Sequence, residues 1–445
     1  MIRRLAAAVA LGAVTAAAVP FAQAPQAPVA DAAGSAQAIE TFDAVWTIVR
    51  DTHFDRTLNG VDWEAVRTEL RPRAAAATSP SELRGVLRQM LGRLGQSHFV
   101  VIPSSADAPS AAASGGAAEP GFDVRLVGAD VLVTTVDVGS PAAVAGVRPG
   151  WRVTAIGGSP LSELLRPLSE TSNARVRQLE AWRVATTRLR GAAGTPIDVT
   201  FQDQTDKPVI LSIGRRAEAG DPVTVGTLPT MFVRVDWRRQ RTPAGAQAGV
   251  IAFNVWMAAV DAQFQRAVED LRDTAGMIVD LRGNPGGLAA MMMGISGHFV
   301  SDRKLLGVMK TRDTELKFMS NPRLANARGE RVGAYDRPVA LLIDSLTGSA
   351  SECFAGGMQS IKRVRVFGQT SMGQALPALF DKLPNGDVLI HAYGDFVTGD
   401  GTRLEGRGVI PDEEVPVRRE DLLAGRDRTL EAALAWIDQQ AGGTR

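Results

Sequence analysis

The stretch LTGSASEC, residues 346 to 353, sets Ser349 and Ser351 two positions apart beside the only cysteine of the chain. An apolar run, VALLID, precedes it and a helix-like run follows. Ser349 therefore falls between a strand and the start of a helix. A hydroxyl there sits at the positive end of the helix, where developing negative charge is favoured. The plainer reading of the same serine is an N-cap. Ser351 falls in the first turn and, with Glu352, suits the helix start. Cys353 lies on the face of Ser349, one turn on, and reads as a small packing residue.

A serine nucleophile needs a partner that takes its proton. The candidates are few. The chain has 43 Arg but only 6 Lys, and its four histidines are His53, His98, His298 and His391. His53 sits in a helical stretch, His298 ends an apolar one and His391 lies in the strand-like DVLIHAYGDF. His98 differs, because it follows Ser97 where a helical region gives way to a strand. A second turn, GNPGG (283–287), follows the strand-like GMIVDLRG. Such a turn can form part of an oxyanion hole, with the amide of Ala350 as a second donor; its plainer reading is an ordinary strand–helix turn. Glu405, in DGTRLEGRGVIPD, is flanked by Leu404, Gly406 and Gly408, so that partial burial would let it orient another group. No cysteine cluster, His/Glu helix motif or calcium loop is present, and neither metal nor cofactor is expected.

The elements that must position these residues follow from the hydrophobic pattern. With 445 residues, 45% of them hydrophobic, the chain is long enough for about two or three domains. Its net charge of +1 gives no sign of a nucleic-acid partner. Residues 1–24 read as a secretory signal peptide: Arg3 and Arg4, an apolar run from Leu5 to Val19, and an Ala22-Gln23-Ala24 site. The run ends at Pro20, short of the roughly 20 residues that span a bilayer, so an exported protein, periplasmic or secreted, is expected rather than a membrane-bound one. Residues 25–35 form a tether and 36–103 a helical domain, in which Ile39, Phe42, Val45, Trp46, Ile48 and Val49 fall mostly on one face. Residues 104–119 are a low-complexity linker. Residues 120–217 form a unit of short strands with a helical insertion near 165–190. From 218 to 445, apolar strands alternate with helices and a terminal helix closes the chain. That alternation predicts a multidomain α+β protein whose core is an α/β layer with a mostly parallel sheet. In such sheets the ligand crevice lies beyond the carboxyl ends of the strands, where DLRGNPGG and DSLTGSASE both fall.

Taken together, GMIVDLRGNPGG, SLTGSASECFAGGMQ and DGTRLEGRGVIPD resemble the C-terminal processing peptidases and the related tricorn-core serine peptidases. The resemblance implies a ClpP/crotonase-like core. The middle unit resembles a PDZ domain through PGFDV (120–124) and GSPAAVAGVRPGWRVTAIGG (139–158). It implies a polypeptide substrate whose carboxyl terminus is held by the amides of Gly121, Phe122 and Asp123. In the processing branch the nucleophile matches Ser349, and its base is a lysine in a GKG-like turn. The matching residue here is Gln374, and an amide cannot accept that proton. Lys362 stands 13 positions beyond Ser349, roughly 20 Å along a helix. The tricorn-type branch uses a histidine in an SH pair. That resemblance implies Ser349 as nucleophile, His98 as general base, and Ser97 and Glu405 as its orienting groups, with Gly286, Gly287 and Ala350 as the oxyanion hole. Neighbours on a regular strand point to opposite faces, so the backbone at 97–98 must be irregular if both serve one site. The alternatives are a non-catalytic peptide- or lipid-binding protein on the same scaffold, for which Gln374 argues, and an acyl hydrolase acting on esters.

Overall fold

A computed structural model describes residues 32–104, 118–169, 171, 173–224 and 230–442. The expected leader, most of the tether and nearly all of the linker lie outside the described residues. No helix among the described residues is long and apolar enough to cross a membrane.

Helices α1 (Ala32–Thr52), α2 (Trp63–Ala75) and α3 (Pro80–Gly92) pack around Phe42, Trp46, Leu70, Leu87 and Met90. The first helix begins inside the expected tether, because AAGSAQA is rich in the best helix former. Asp62 caps α2 and Ser79 caps α3, each side chain accepting from a backbone amide. Trp46 and Trp63 each donate an indole N–H to the other's carbonyl, at 2.9 and 3.1 Å, which locks α1 onto α2.

This helical region is not a separate body. Its outgoing strand β1 (Val100–Ile102) pairs antiparallel with Val388–Ala392, and Leu383 and Leu389 enter its apolar cluster. Arg84 of α3 clamps Asp387 through two bonds of 2.8 and 2.7 Å, and Asp387 is fully buried.

The unit at 118–217 starts a little earlier than its linker suggests, because Ala118–Glu119 pairs with Arg216–Ala217. Strand β2 (Phe122–Val127) forms the edge of its main sheet, next to β3 (Asp130–Val136) and then Arg152–Ile156, Pro196–Gln202 and Pro208–Gly214. Helix α4 (Pro141–Ala145) is capped by Ser140 and stopped by Gly146 at φ 88°. The helical insertion is α5 (Ala174–Leu189), capped by Asn173.

The core sheet runs from Val235–Arg241 through β4 (Gln247–Phe253), β5 (Gly276–Asp280), β6 (Val339–Ile343) and Arg365–Gly368 to Glu413–Glu414. Only the first of these pairings is antiparallel. Its inner strands are buried on both faces, and alternate residues go to opposite layers. Val279, Leu341 and Ile343 pack with the helices Val260–Asp270 and α6 (Ala350–Ser360), while Ile278, Ala340 and Leu342 pack against Ala433, Leu434 and Ile437 of the terminal helix. The apolar helical stretch that His298 was expected to end stops earlier, as the helix Met291–Ser296. A crossing segment takes its end: Asn321 and Arg323 donate to the carbonyls of Met293 and Gly297.

The Arg84–Asp387 pair gives a stability test. Burial opposes ionisation of Asp387, but Arg84, the Ser104 amide and Asn385 together hold its carboxyl below its ordinary value. A depressed acid stabilises the fold above its unfolded pKa and loses that contribution as pH falls through the folded value. Arg84→Met strands a buried charge and is expected to cost about 3–5 kcal/mol at pH 7 by urea denaturation. The gap to the parent is expected to narrow below about pH 4.

Candidate active site

Strands β5 and β6 lie side by side and parallel, so their carboxyl ends deliver two loops to one place. One carries Gly283–Gly287 and the other Asp344–Ser349. Asp344 accepts from the amides of Gly283 and Leu346, and Gly348 donates to the Asn284 carbonyl, which ties the loops together. Ser349 ends the second loop at φ 51°, ψ −119°, directly before α6. A non-glycine residue there is strained and persists only where its surroundings fix it.

Those surroundings are led by Glu352. It is fully buried and accepts four hydrogen bonds: from the Ser371 hydroxyl at 2.5 Å and the amides of Gly373 at 2.7 Å, Gln374 at 2.9 Å and Ser349 at 3.1 Å. Burial pushes its carboxyl up to about 7 against the pull of those donors. Sequence reasoning assigned Glu352 only to the helix start. Its spacing from Ser349 is the one signal that was available. Ser351 accepts the Trp256 indole N–H at 2.7 Å, and the Cys353 thiol is buried and pushed well up by desolvation.

Gly286 and Gly287 stand at φ 105° and 137°. A Cβ on Gly286 would come within 2.6 Å of the Ser349 Cβ and 2.9 Å of the Ala350 nitrogen. The turn thus lies against the serine, but one expected donor is not available. The Gly286 amide is committed to the Asn284 side chain at 3.0 Å, so the role of Gly286 is close approach rather than donation. The amides of Gly287 and Ala350 have no acceptor among the described residues.

Ser97 and His98 follow α3. His98 adopts φ 60°, the irregular backbone that lets adjacent side chains serve one site. The Ser97 amide donates to Glu405 at 2.9 Å and its hydroxyl to the same carboxylate at 2.9 Å. The Ser97 oxygen lies 2.7 Å from His98 Nδ1. A hydroxyl has one proton, and Ser97 gives it to Glu405, so it must accept from Nδ1–H. That fixes the tautomer and leaves the Nε2 lone pair free. Burial, with Arg183 of α5 adding to it, pushes the His98 imidazole down to about 4. Burial raises Glu405 above its ordinary value against the Ser97 and Ala375 donors.

Ser349 and His98 are linked through neighbouring backbone. The Ser349 amide donates to the Gln374 carbonyl at 2.9 Å, and the next residue, Ala375, donates to Glu405 at 3.0 Å. No direct hydrogen bond joins Ser349 to His98. Lys362 lies past the far end of α6. His298 is buried beside Phe264, and His391 is held between Thr52 and Asp381.

Comparison with known proteins places this geometry. The model of peptidase family S41 matches residues 247–415, and that of the tricorn protease C1 domain matches 36–92. Residues 247–415 are a family S41 peptidase domain. The chain is a serine-type peptidase, similar to a carboxyl-terminal-processing protease of Synechocystis sp. at 24% identity over 83% of this chain and 79% of that protein. A probable CtpA-like serine protease of Staphylococcus aureus is also 24% identical, over 66% of this chain and 51% of that protein. The chain thus spans about half the length of that relative. Among solved structures the fold is similar to the photosystem II D1 C-terminal processing protease, with TM-score 0.57, 21% identity, and 89% of this chain and 98% of that one covered. It is also similar to mature CPAF, with TM-score 0.65, 13% identity, and 92% and 98% covered.

Gly286→Ala is expected to leave the fold intact and cut turnover about a hundredfold, because its methyl group would displace the serine backbone by a fraction of an ångström or more. Peptidase assays alongside thermal melting would check it.

Proposed function

We propose that the protein is an exported serine endopeptidase with Ser349 as nucleophile and His98 as general base. The observation that carries this reading is the Glu405–Ser97–His98 run, which leaves Nε2 unprotonated, together with the Gln374–Ala375 backbone that ties Glu405 to the strained serine. His98 takes the Ser349 proton as Oγ attacks the substrate carbonyl. The amides of Gly287 and Ala350 stabilise the oxyanion. The C–N bond breaks, the amine leaves with the proton from His98, and an acyl-serine remains. Water then attacks that ester, giving its proton to Nε2, and Ser349 recovers its own as the carboxylic acid departs. Ser97 and Glu405 hold the ring through Nδ1–H.

The unit at 118–217 reads as a PDZ-like module that captures a polypeptide carboxyl terminus. Support comes from the free edge of β2 and from Gly121, at φ 83°, where a Cβ would come within 2.3 Å of the Ser140 side chain. A strand added to that edge would set its carboxylate at the amides of Gly121, Phe122 and Asp123. The leader-like first 24 residues support export.

The second reading, a binding protein without turnover, rests on Gln374 at the position where the processing branch has lysine. A fluorophosphonate separates the two. Labelling of the parent and none of Ser349→Ala is expected, with His98→Gln reduced by at least a hundredfold. Equal labelling of parent and Ser349→Ala would sink the proposal. His98 is depressed to about 4, so the neutral base persists on acidification down to that value. The acid limb of kcat/KM is therefore expected near pH 4, not near the roughly 6.5 of an unperturbed histidine. For the capture step, Ser349→Ala should bind a peptide with a free carboxyl terminus at least tenfold more tightly than its amidated form, by fluorescence anisotropy.

A further inference from the structure

His98 holds a left-handed backbone conformation in a segment with little of its own support. Gln96, Ser97 and His98 make no backbone-to-backbone hydrogen bonds among the described residues. Glu405 holds the segment at Ser97. On its other side stands His53, at the end of α1 and fully buried. Its ring stacks on Phe54 at 4.7 Å and 18° and on Phe99 at 5.5 Å and 9°. Its Nε2 lies 2.9 Å from Gln96 Oε1, and its Nδ1 lies 2.8 Å from the Asp55 carbonyl oxygen and 3.0 Å from the Asp55 amide. Both ring nitrogens are engaged, Nδ1 by the Asp55 backbone and Nε2 by the Gln96 side chain.

We propose that His53 is a positioning residue for the peptidase reaction, setting the His98 backbone by gripping Gln96 through Nε2 and Phe99 through its ring face. The proposal rests on the Ser349–His98 reading above. The residues it grips, 96 and 99, bracket the Ser97–His98 pair. Glu405 fixes Ser97 from the core, and His53 fixes the flanks from the helical region. With either hold released, the φ 60° conformation at His98 relaxes toward commoner backbone angles. Its ring then loses the placement that the proposed reaction needs. His53 touches no reacting atom, so its loss should fall on the chemical step and spare substrate binding.

The test is a double-mutant cycle in the full chain. His53→Phe keeps the aromatic stack and removes the Nε2 contact. Gln96→Leu removes the same contact from a half-buried loop position, and so remains informative should His53→Phe fold poorly. Fluorophosphonate labelling rate, and kcat and KM on fluorescein-labelled casein, are read beside melting curves. Each single variant is expected to lose about ten- to a hundredfold in labelling rate and kcat. KM should stay within about twofold, and the double variant should be no slower than the worse single one. Folded single variants with parental rates overturn the proposal, and so do losses that multiply in the double variant. An unlabelled parent overturns the serine–histidine reading and this inference with it. A labelled parent with unaffected variants overturns this inference alone.

Discussion

The Glu405 carboxylate is the contact on which the candidate site depends. It gathers three donors from two regions of chain separated by nearly three hundred residues: the amide and hydroxyl of Ser97 and the amide of Ala375. Each hydrogen bond to such a group contributes about 1.5–3 kcal/mol. Together they offset the cost of holding His98 at a positive φ, of order 1–3 kcal/mol. The larger framework serves the same junction. Pairing of Val100–Ile102 with Val388–Ala392 and the Arg84–Asp387 clamp bring the helical region to the core, and Glu405 then fixes its last few residues.

A second carboxylate repeats the arrangement around the serine. Ser349 and His98 both hold positive φ, and each is bracketed by an acid, the buried Glu352 in one case and the half-buried Glu405 in the other. The short segment 371–375 bridges the two. Consecutive amides divide there, Gln374 donating to Glu352 and Ala375 to Glu405, while the Gln374 carbonyl takes the Ser349 amide. All three contacts are backbone contacts. The position can therefore exchange one side chain for another without loosening the serine, and this is a physical reason why glutamine is tolerated at Gln374.

Much of this was legible in the sequence, for reasons that differ from element to element. The parallel strands announce themselves as short apolar runs, VALLI above all, because both faces of such a sheet are buried. The cap at Ser79 follows from residue type and position. The short extent of Met291–Ser296 was not legible, since a segment thirty residues later supplies the contacts that end it. The commitment of the Gly286 amide was hidden as well. It depends on the rotamer of Asn284, whose own amide group is anchored to the Phe253 carbonyl. His53 reads from sequence as an ordinary helical histidine, because its partners, Gln96 and Phe99, become neighbours only once α1 and α3 have packed.

The electrostatics of the site bear on how an imidazole could replace a lysine amine here. A buried amine is disfavoured as a cation, and so is a buried imidazole, which is why His98 is driven to about 4. At neutral pH the ring is therefore unprotonated and ready to accept, although a base that weak draws a proton from serine only if the resulting cation is stabilised. The proposed reaction has that stabilisation within reach. Charge arriving at Nε2 strengthens the Nδ1–H bond to the Ser97 oxygen, and the Ser97 hydroxyl is already polarised by Glu405. A carboxylate acting through an intervening hydroxyl thus supports the imidazolium without sharing a face with it. The unreacted ring stays neutral, and the cation is favoured only while the oxyanion is present to balance it.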